Sequence, residues 1–346
     1  MKKRDVLNTI LCPICNSPME FKNNKAICKN CGSEFPIQDD VIFFEESKNY
    51  YWGGLLDPVE MNIVIKEAYK SNWLNALNLI PPYKTTVIQN IIDERRSAWH
   101  FLLPLKERNL ALDFGCGMGS ITMGLARNFD NVFACDRTKE RTKFTVLRAK
   151  QENLNNVIGL VGFRDVRKLP FSSNSFDLVV LYGVLEWVAE ELKGNPQEIQ
   201  GSFLSECKRI LKKNGFLIIA IENATAIKYL RGGRDDHAHE LKYTTFLPRF
   251  LSNWISWKVR NRPYRTYIYS FNGYKRLFNN AGLHIYKVYY PIPDYRDFYK
   301  LIDLESHKAI KDYFESLKPS KKKRLIYWMG LFKWFIPGSY LWILKK

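Results

Sequence analysis

Cys12-Pro-Ile-Cys15 and Cys28-Lys-Asn-Cys31 place four thiols in two C-x2-C pairs, twelve residues apart. Each pair can present two thiolates from one tight knuckle, and two knuckles close a tetrahedron around Zn²⁺. Gly32 follows the second pair, where a knuckle turn favours a residue tolerant of positive φ. Four thiolates leave no open coordination position. The spacing therefore points to a structural metal site at Cys12, Cys15, Cys28 and Cys31, not a catalytic one. Cys116, Cys135 and Cys207 lie in apolar stretches and read as buried side chains. The N-terminus carries basic residues and a broken apolar run, without a small-residue cleavage site. Seven cysteines in that setting lead us to expect a reducing, cytoplasmic compartment.

The second constellation is "LDFGCGMGS". Gly115, Gly117 and Gly119 alternate directly after an apolar run that ends in Asp113. Glycine belongs where backbone must turn tightly or let a ligand come within contact distance. Acidic residues also close the next two apolar runs: Asp136 ends "VFACD", and Asp165 follows in "VGFRDVRKLPF". At a strand end, the Asp136 carboxylate could accept hydrogen bonds from two ribose hydroxyls. A glycine turn alone also suits a nicotinamide cofactor, but G-x-G-x-G is shorter than the dinucleotide fingerprint.

The elements around these residues alternate. Short apolar, β-branched runs ("NLALDF", "NVFACD", "VIGLVGF", "FDLVVLYG", "GFLIIAIE") are separated by stretches of helical period such as "ERTKFTVLRAKQEN" and "GSFLSECKRILKK". Such alternation predicts βαβ units and a parallel sheet. The fold class expected is α/β: a doubly wound, Rossmann-like sheet with an N-terminal zinc ribbon and a helical, aromatic C-terminal extension. We divide the chain into a ribbon (1–46), a helical lead-in (47–108), the Rossmann-like core (109–223) and a substrate-side region with the final strands (224–346). Helical spacing runs through "MNIVIKEAYKSNWLNALNLI" and "TTVIQNIIDERRSAWHFLLPL", separated by Pro81-Pro82.

Four motifs in order resemble the class I S-adenosylmethionine-dependent methyltransferases: "LDFGCGMGS", "ACD", "RDVRKLPFSSNSFDLVVLYGVLEWV" and "ILKKNGFLIIAIEN". Together they cover about residues 105–223. The resemblance implies a cofactor site made of Asp113, Gly115, Gly117, Gly119, Asp136, Asp165, Val166 and Tyr182. The glycine backbone would approach the methionine moiety, Asp136 the ribose, and Asp165 with Val166 the adenine. After the fourth strand stands Tyr182-Gly183-Val184-Leu185-Glu186-Trp187, with neither an Asn-Pro-Pro-aromatic run nor a Pro-Cys nucleophile. That argues against covalent catalysis and amino-adenine chemistry. Many relatives carry Glu-His at 186–187, and Trp187 removes that histidine. The base expected instead is His237 in "GGRDDHAHE", with Asp235 and Asp236 beside it to raise its proton affinity.

A looser likeness of "IENATAIKYLRGGRDDHAHE", "YRTYIYSFNGYKRLFNNAGL" and "YYPIPDYRDFYKLIDLES" is to methyltransferases of glycan and secondary-metabolite assembly. It implies a small-molecule, glycan or glycolipid acceptor, with a hydroxyl as the receiving group. The rival expectation is an RNA methyltransferase, since a four-cysteine ribbon also precedes this fold in ribosomal-RNA enzymes. A cofactor-binding or scaffold module without catalysis is the reading from another class. DNA is not an expected partner.

The formal charge of +18 is uneven. Residues 221–346 hold 24 Lys/Arg against 10 Asp/Glu, and residues 1–220 hold 29 against 25. An anionic partner of the C-terminal third, or a solubility face, follows from that bias. Near the end, "LIYWMGLFKWFIPGSYLWIL" is long enough to span a bilayer, but Lys333 and Pro337-Gly338 interrupt it. We expect a helix over "KKKRLIYWMGLFKWF" and a final strand in "YLWILKK", which the methyltransferase resemblance implies is antiparallel. An interfacial helix with peripheral membrane contact and a true membrane span are the alternatives.

Overall fold

The apolar runs of the sequence become strands, and their order brings the strand-end acids together. A computed structural model describes residues 3–45, 56–163, 165–317, 324, 327 and 329–346. The expected boundary at residues 46 and 47 lies outside them. The chain divides into two compact units, one holding Met1–Leu181, Glu206–Leu217 and Lys346, the other Tyr182–Ser205 and Ile218–Lys345.

In the first unit, β1 (Met19–Lys22), β2 (Lys25–Cys28), β3 (Glu34–Gln38) and β4 (Val41–Phe43) form an antiparallel meander. Four longer strands follow: β5 (Leu110–Phe114), β6 (Asn131–Asp136), β7 (Val157–Val161) and β8 (Phe176–Tyr182, whose last residue belongs to the second unit). Every residue in these four is buried. That is why their sequences read as unbroken apolar runs and not as alternation. The strand order is β1-β2-β3-β4-β7-β6-β5-β8. The pairs β7–β6, β6–β5 and β5–β8 are parallel, joined by helices such as Ser120–Ala126 and Lys139–Gln151.

β4 fixes the cysteine-bearing meander to this sheet, pairing parallel with β7 through Val41↔Gly159, Ile42↔Leu160 and Phe43↔Val161. The Phe44 N–H then donates to the Val161 carbonyl at 3.0 Å. Gly162 permits the close passage that follows: a Cβ there would lie 1.5 Å from the Glu45 carbonyl oxygen, and its φ is +71°. A second attachment joins Leu11 N–H to the Pro170 carbonyl (2.9 Å) and Ser172 N–H to that of Thr9 (2.8 Å).

The lead-in is helical as its spacing predicts, but each of its two stretches is broken, the first at Ser71-Asn72 and the second at Asp93. Helix Pro58–Lys70 starts on an Asp57–Glu60 capping box and buries Met61, Val64, Ile65 and Ala68. These pack with Leu77, Val87 and Ile91 against Phe144 and Leu147. The second stretch is not one helix. It runs Thr85–Ile92, leaves helical geometry at Asp93 (ψ 94°), and continues as a 3₁₀ segment over Glu94–Leu102. Asp93 competes with the helix locally, because its carboxylate accepts the Arg95 N–H at 3.0 Å.

In the second unit, β9 (Leu211–Glu222, which enters this unit at Ile218), β12 (Ser339–Lys345), β10 (His284–Ile292) and β11 (Lys300–Asp303) lie in that order. β12 is the expected final strand, antiparallel to β10 with Trp342↔Val288 and Leu341↔Tyr289. Trp342 is fully buried among Phe271, Phe278 and Tyr340, at ring distances of 5.1–5.5 Å. The helix expected over 321–335 lies partly outside the described residues. Within them, Arg324 and Tyr327 are helical, Gly330 at φ +69° interrupts the run, and Phe332–Phe335 forms a further helical turn before β12. Among the described residues, no helix is long and apolar enough to cross a membrane.

Candidate functional site

The two cysteine knuckles repeat one backbone pattern. Cys12 N–H donates to the Ser17 carbonyl and Asn16 N–H to that of Cys12; Cys28, Ser33 and Gly32 make the same pair of bonds. Asn16 and Gly32, the matching residues, are both left-handed (φ 62° and 69°). The four sulfurs lie within 4.8 Å of one another, with Cys12–Cys31 at 3.7 Å and Cys15–Cys28 at 3.3 Å. A tetrahedron with arms of about 2.3 Å has edges of about 3.8 Å, so the set fits a four-thiolate zinc site. Hydrogen bonds from Ser17 and Cys28 hold the Cys15 thiol down to about 5, while burial pushes Cys12 up to about 12.

The glycine turn links β5 to the helix Ser120–Ala126, and Gly115, Gly117 and Gly119 all have positive φ (84°, 54° and 90°). Residues with a Cβ disfavour this conformation, which accounts for three glycines in five positions. Asp136 closes on the turn: its Oδ2 accepts the Gly117 N–H at 3.1 Å. Its Oδ1 accepts the N–H and hydroxyl of Thr138 at 3.0 and 2.9 Å. Asp113 is buried and accepts the Thr122 hydroxyl at 2.6 Å; burial pushes its carboxyl up to about 6. The register places Asp113 opposite Ala134 and Asp136 opposite Val161. Asp113, the three glycines and Asp136 therefore share one end of the parallel sheet. Asp165 lies in the turn after β7, ion-paired with Arg167 at 2.5 Å. Burial works against its charge, but Arg167 holds its carboxyl below the usual range. Val166, beside it, is half-buried.

In the second unit, His237 is the centre of a buried charge cluster, with 2% of its side chain exposed. Its Nε2 lies 3.3 Å from Glu222 Oε2 and 3.5 Å from Glu186 Oε1, and its Nδ1 lies 3.6 Å from Asp235 Oδ1. Burial opposes a charge on the ring, yet Glu222, Asp235 and Glu186 outweigh it and raise its pKa well above the ordinary value. Burial also pushes Glu186 up. Glu222 goes the other way: despite its burial, His237 and Arg296 hold it well below the carboxylate range. An imidazolium enclosed by carboxylates is the state this geometry favours.

Each acid is held in place from behind. Asp235 accepts the Tyr264 hydroxyl (2.7 Å), the Thr244 hydroxyl (3.0 Å) and the His237 N–H (2.9 Å). Glu222 Oε1 accepts from Arg296 and from the Tyr295 hydroxyl (3.0 Å). Tyr182 donates its hydroxyl to the Tyr295 carbonyl, and Trp187 packs edge-on against the His237 ring at 5.0 Å. The expected partner Asp236 turns away, bonding Lys228 at 2.5 Å and Tyr229 at 2.9 Å. Spacing did not single out Glu222, Tyr295 or Arg296. One signal was available: Glu222 is an acid ending the apolar run "FLIIAI".

Residues 112–219 match the methyltransferase domain family. The chain is 29% identical over 117 residues to a ubiquinone biosynthesis O-methyltransferase of Caulobacter vibrioides, covering 33% of this chain and 41% of that one. It is 28% identical over 149 residues to a malonyl-[acyl-carrier protein] O-methyltransferase of Herminiimonas arsenicoxydans, covering 42% and 50%. The chain thus spans half or less of the length of these curated relatives. Among solved structures, it is similar to a chain in the complex between the Haloferax volcanii Trm112 methyltransferase activator and a methyltransferase. The TM-score there is 0.44, at 18% identity, over 76% of this chain and 94% of that one. With its glycine turn and strand-end acids in place, the matched segment 112–219 is a methyltransferase domain of the class I S-adenosylmethionine-dependent type, and a four-cysteine ribbon precedes it.

Proposed function

We propose that the protein transfers a methyl group from S-adenosylmethionine to a hydroxyl of a small-molecule or glycan-pathway acceptor. The observation that carries this reading is the left-handed triple-glycine turn closed by Asp136 at the end of the matched domain's parallel strands. When bound, the cofactor supplies an electrophilic methyl on a sulfonium. Gly115, Gly117 and Gly119 leave the backbone open to its methionine part, with Asp113 beneath them and Tyr182 a further member of the cofactor set. Asp136 uses three of about four acceptor positions on the turn and on Thr138, leaving one for a ribose hydroxyl. Asp165 and Val166 take the adenine edge. The names of the curated relatives, both O-methyltransferases, support oxygen as the receiving atom.

Transfer to a hydroxyl releases a proton. In this reading His237 does not act as a lone base. His237 is already held as an imidazolium and Glu222 as a carboxylate, so the member of the cluster left to take up the proton is the Glu186 carboxylate, whose proton affinity burial raises. In the ribbon, Cys12, Cys15, Cys28 and Cys31 would hold Zn²⁺, which crosslinks the two knuckles and performs no chemistry.

S-adenosylhomocysteine tests the reading, since a ligand selective for the folded state raises the melting temperature. We expect a clear upward shift, reduced in Asp136→Asn, which keeps an acceptor for the turn but loses carboxylate capacity. No shift at millimolar ligand would overturn the cofactor assignment. Labelled methyl appearing in total RNA, and not in small-molecule or glycolipid extracts, would replace the acceptor class.

A further inference from the structure

The helix Arg249–Arg260, "RFLSNWISWKVR", is amphipathic the wrong way round for a soluble protein. Its fully buried positions are serines. Ser252 donates its hydroxyl to the Thr244 carbonyl at 2.7 Å, and Ser256 to that of Arg262 at 2.8 Å. Its outward face is aromatic: Phe250 is 73% exposed, Trp254 60% and Trp257 50%. At about 100° per residue, positions i, i+4 and i+7 fall within an arc of about 60°, so the three rings form one stripe. An exposed contiguous apolar face marks an interaction surface, whereas scattered single residues do not.

The stripe is rigidly presented. Arg249 stacks on Tyr267 at 4.1 Å and donates to the Ile268 carbonyl at 2.6 Å. Asn253 accepts the Tyr264 N–H at 3.1 Å, and Ile255 packs against Ala238, Leu241 and Tyr264. Charge says what covers the stripe. Lys258 is exposed at its flank and Arg262, with 54% of its side chain exposed, follows the helix. The whole C-terminal third holds 24 Lys/Arg against 10 Asp/Glu. Tryptophan and phenylalanine beside lysine and arginine suit one environment above others, the boundary between anionic headgroups and acyl chains. A convex single helix offers no groove to a phosphate backbone, whereas a planar interface takes one helix face at a time. At about 18 Å long, the helix lies in that plane and cannot span it.

We infer that Arg249–Arg260 docks the protein on an anionic phospholipid surface, inserting Phe250, Trp254 and Trp257 at the headgroup level. The inference rests on this face alone and is independent of methyl transfer. The test is co-sedimentation of the full chain with phosphatidylcholine vesicles, with and without phosphatidylglycerol. The expected result is retention only on the phosphatidylglycerol vesicles, weakening as salt rises. A triple variant, Phe250→Ser with Trp254→Ser and Trp257→Ser, should lose that retention and keep the wild-type melting temperature. Lys258→Gln should weaken binding about fivefold, the scale of one basic residue at an anionic surface. Tyr299→Ser, at a 76% exposed residue off the helix, should change nothing. Absent retention, or retention that the triple variant keeps, would overturn the proposal. So would RNA binding or a dimer in solution that the triple variant abolishes while vesicles fail to compete.

Discussion

The cysteine ribbon and the His237 cluster each gather four or more ligating or charged groups within a few ångströms, but they are built from opposite materials. The ribbon's donors lie within Cys12–Cys31, and one backbone pattern repeated on two knuckles places them all. The cluster draws Glu186, Glu222, Asp235, His237 and Arg296 from separate segments, with Glu222 and Arg296 74 residues apart. On the proposed reading the ribbon takes a cation from outside for its thiolates. The cluster carries its own cations, the imidazolium and the guanidinium. A local constellation is specified by spacing; a dispersed one is specified only by the fold that assembles it.

The largest effect belongs to the ribbon. Structural zinc contributes on the order of 10 kcal/mol to folding of such a unit. Cys28→Ser should take the protein from about one zinc per chain to none, measured by metal analysis. It should also expose the β1–β4 segment to proteolysis. A variant that kept its zinc would show that three thiolates suffice, and the contrast with the self-sufficient cluster would weaken.

Breaking the cluster should rank second. Removing one partner from a buried ion group costs about 3–5 kcal/mol, because the remaining charges stay buried. Glu222→Gln should show a loss of that size in urea unfolding, without changing the zinc content. Asp165→Asn makes the comparison sharper, since its Arg167 pair is a third or more exposed on both sides. Screened pairs of that kind contribute at most about 1 kcal/mol. Equal losses in the two variants would mean that burial is not what distinguishes the cluster.

These differences mirror how far the sequence could be read. The four cysteines, the glycine turn and the strands β5 to β8 were legible because each depends on neighbours in the chain: a knuckle, a positive φ, an apolar run. β12 was legible for the same reason, from "YLWILKK" after a Pro-Gly turn. The pairing of β4 with β7 was not, because three residues cannot name their partner strand. Gly162 recorded that contact in the sequence, but only a built structure shows the Glu45 carbonyl above it. His237 was singled out by its chemistry with Asp235 and Asp236 as its expected partners, and of the two Asp236 bonds Lys228 and Tyr229 instead. Only Asp235 turns inward, where Tyr264 and Thr244 hold it.

Asp113 offers the finest test of what a cationic partner does. It is as buried as Glu222, but its close hydrogen bond is to the Thr122 hydroxyl at 2.6 Å. Burial raises its carboxyl to about 6, against an ordinary value of 3.8, whereas His237 and Arg296 drive Glu222 the other way. A folded state that holds its proton more tightly than the unfolded chain is favoured at low pH. Its advantage is lost as pH rises from about 4 through about 6. Two units correspond to about 3 kcal/mol. Asp113→Asn keeps an acceptor for Thr122 and removes the titration. Its stability should match the wild type near pH 4 and exceed it increasingly up to pH 7, by about 3 kcal/mol at most. The Glu222 contribution has the opposite sign and is lost only as pH falls below the carboxylate range. Urea unfolding across pH 4 to 7 separates the two. An unchanged slope in Asp113→Asn would mean that Asp113 is ionised in the folded protein, and that burial alone does not set its charge.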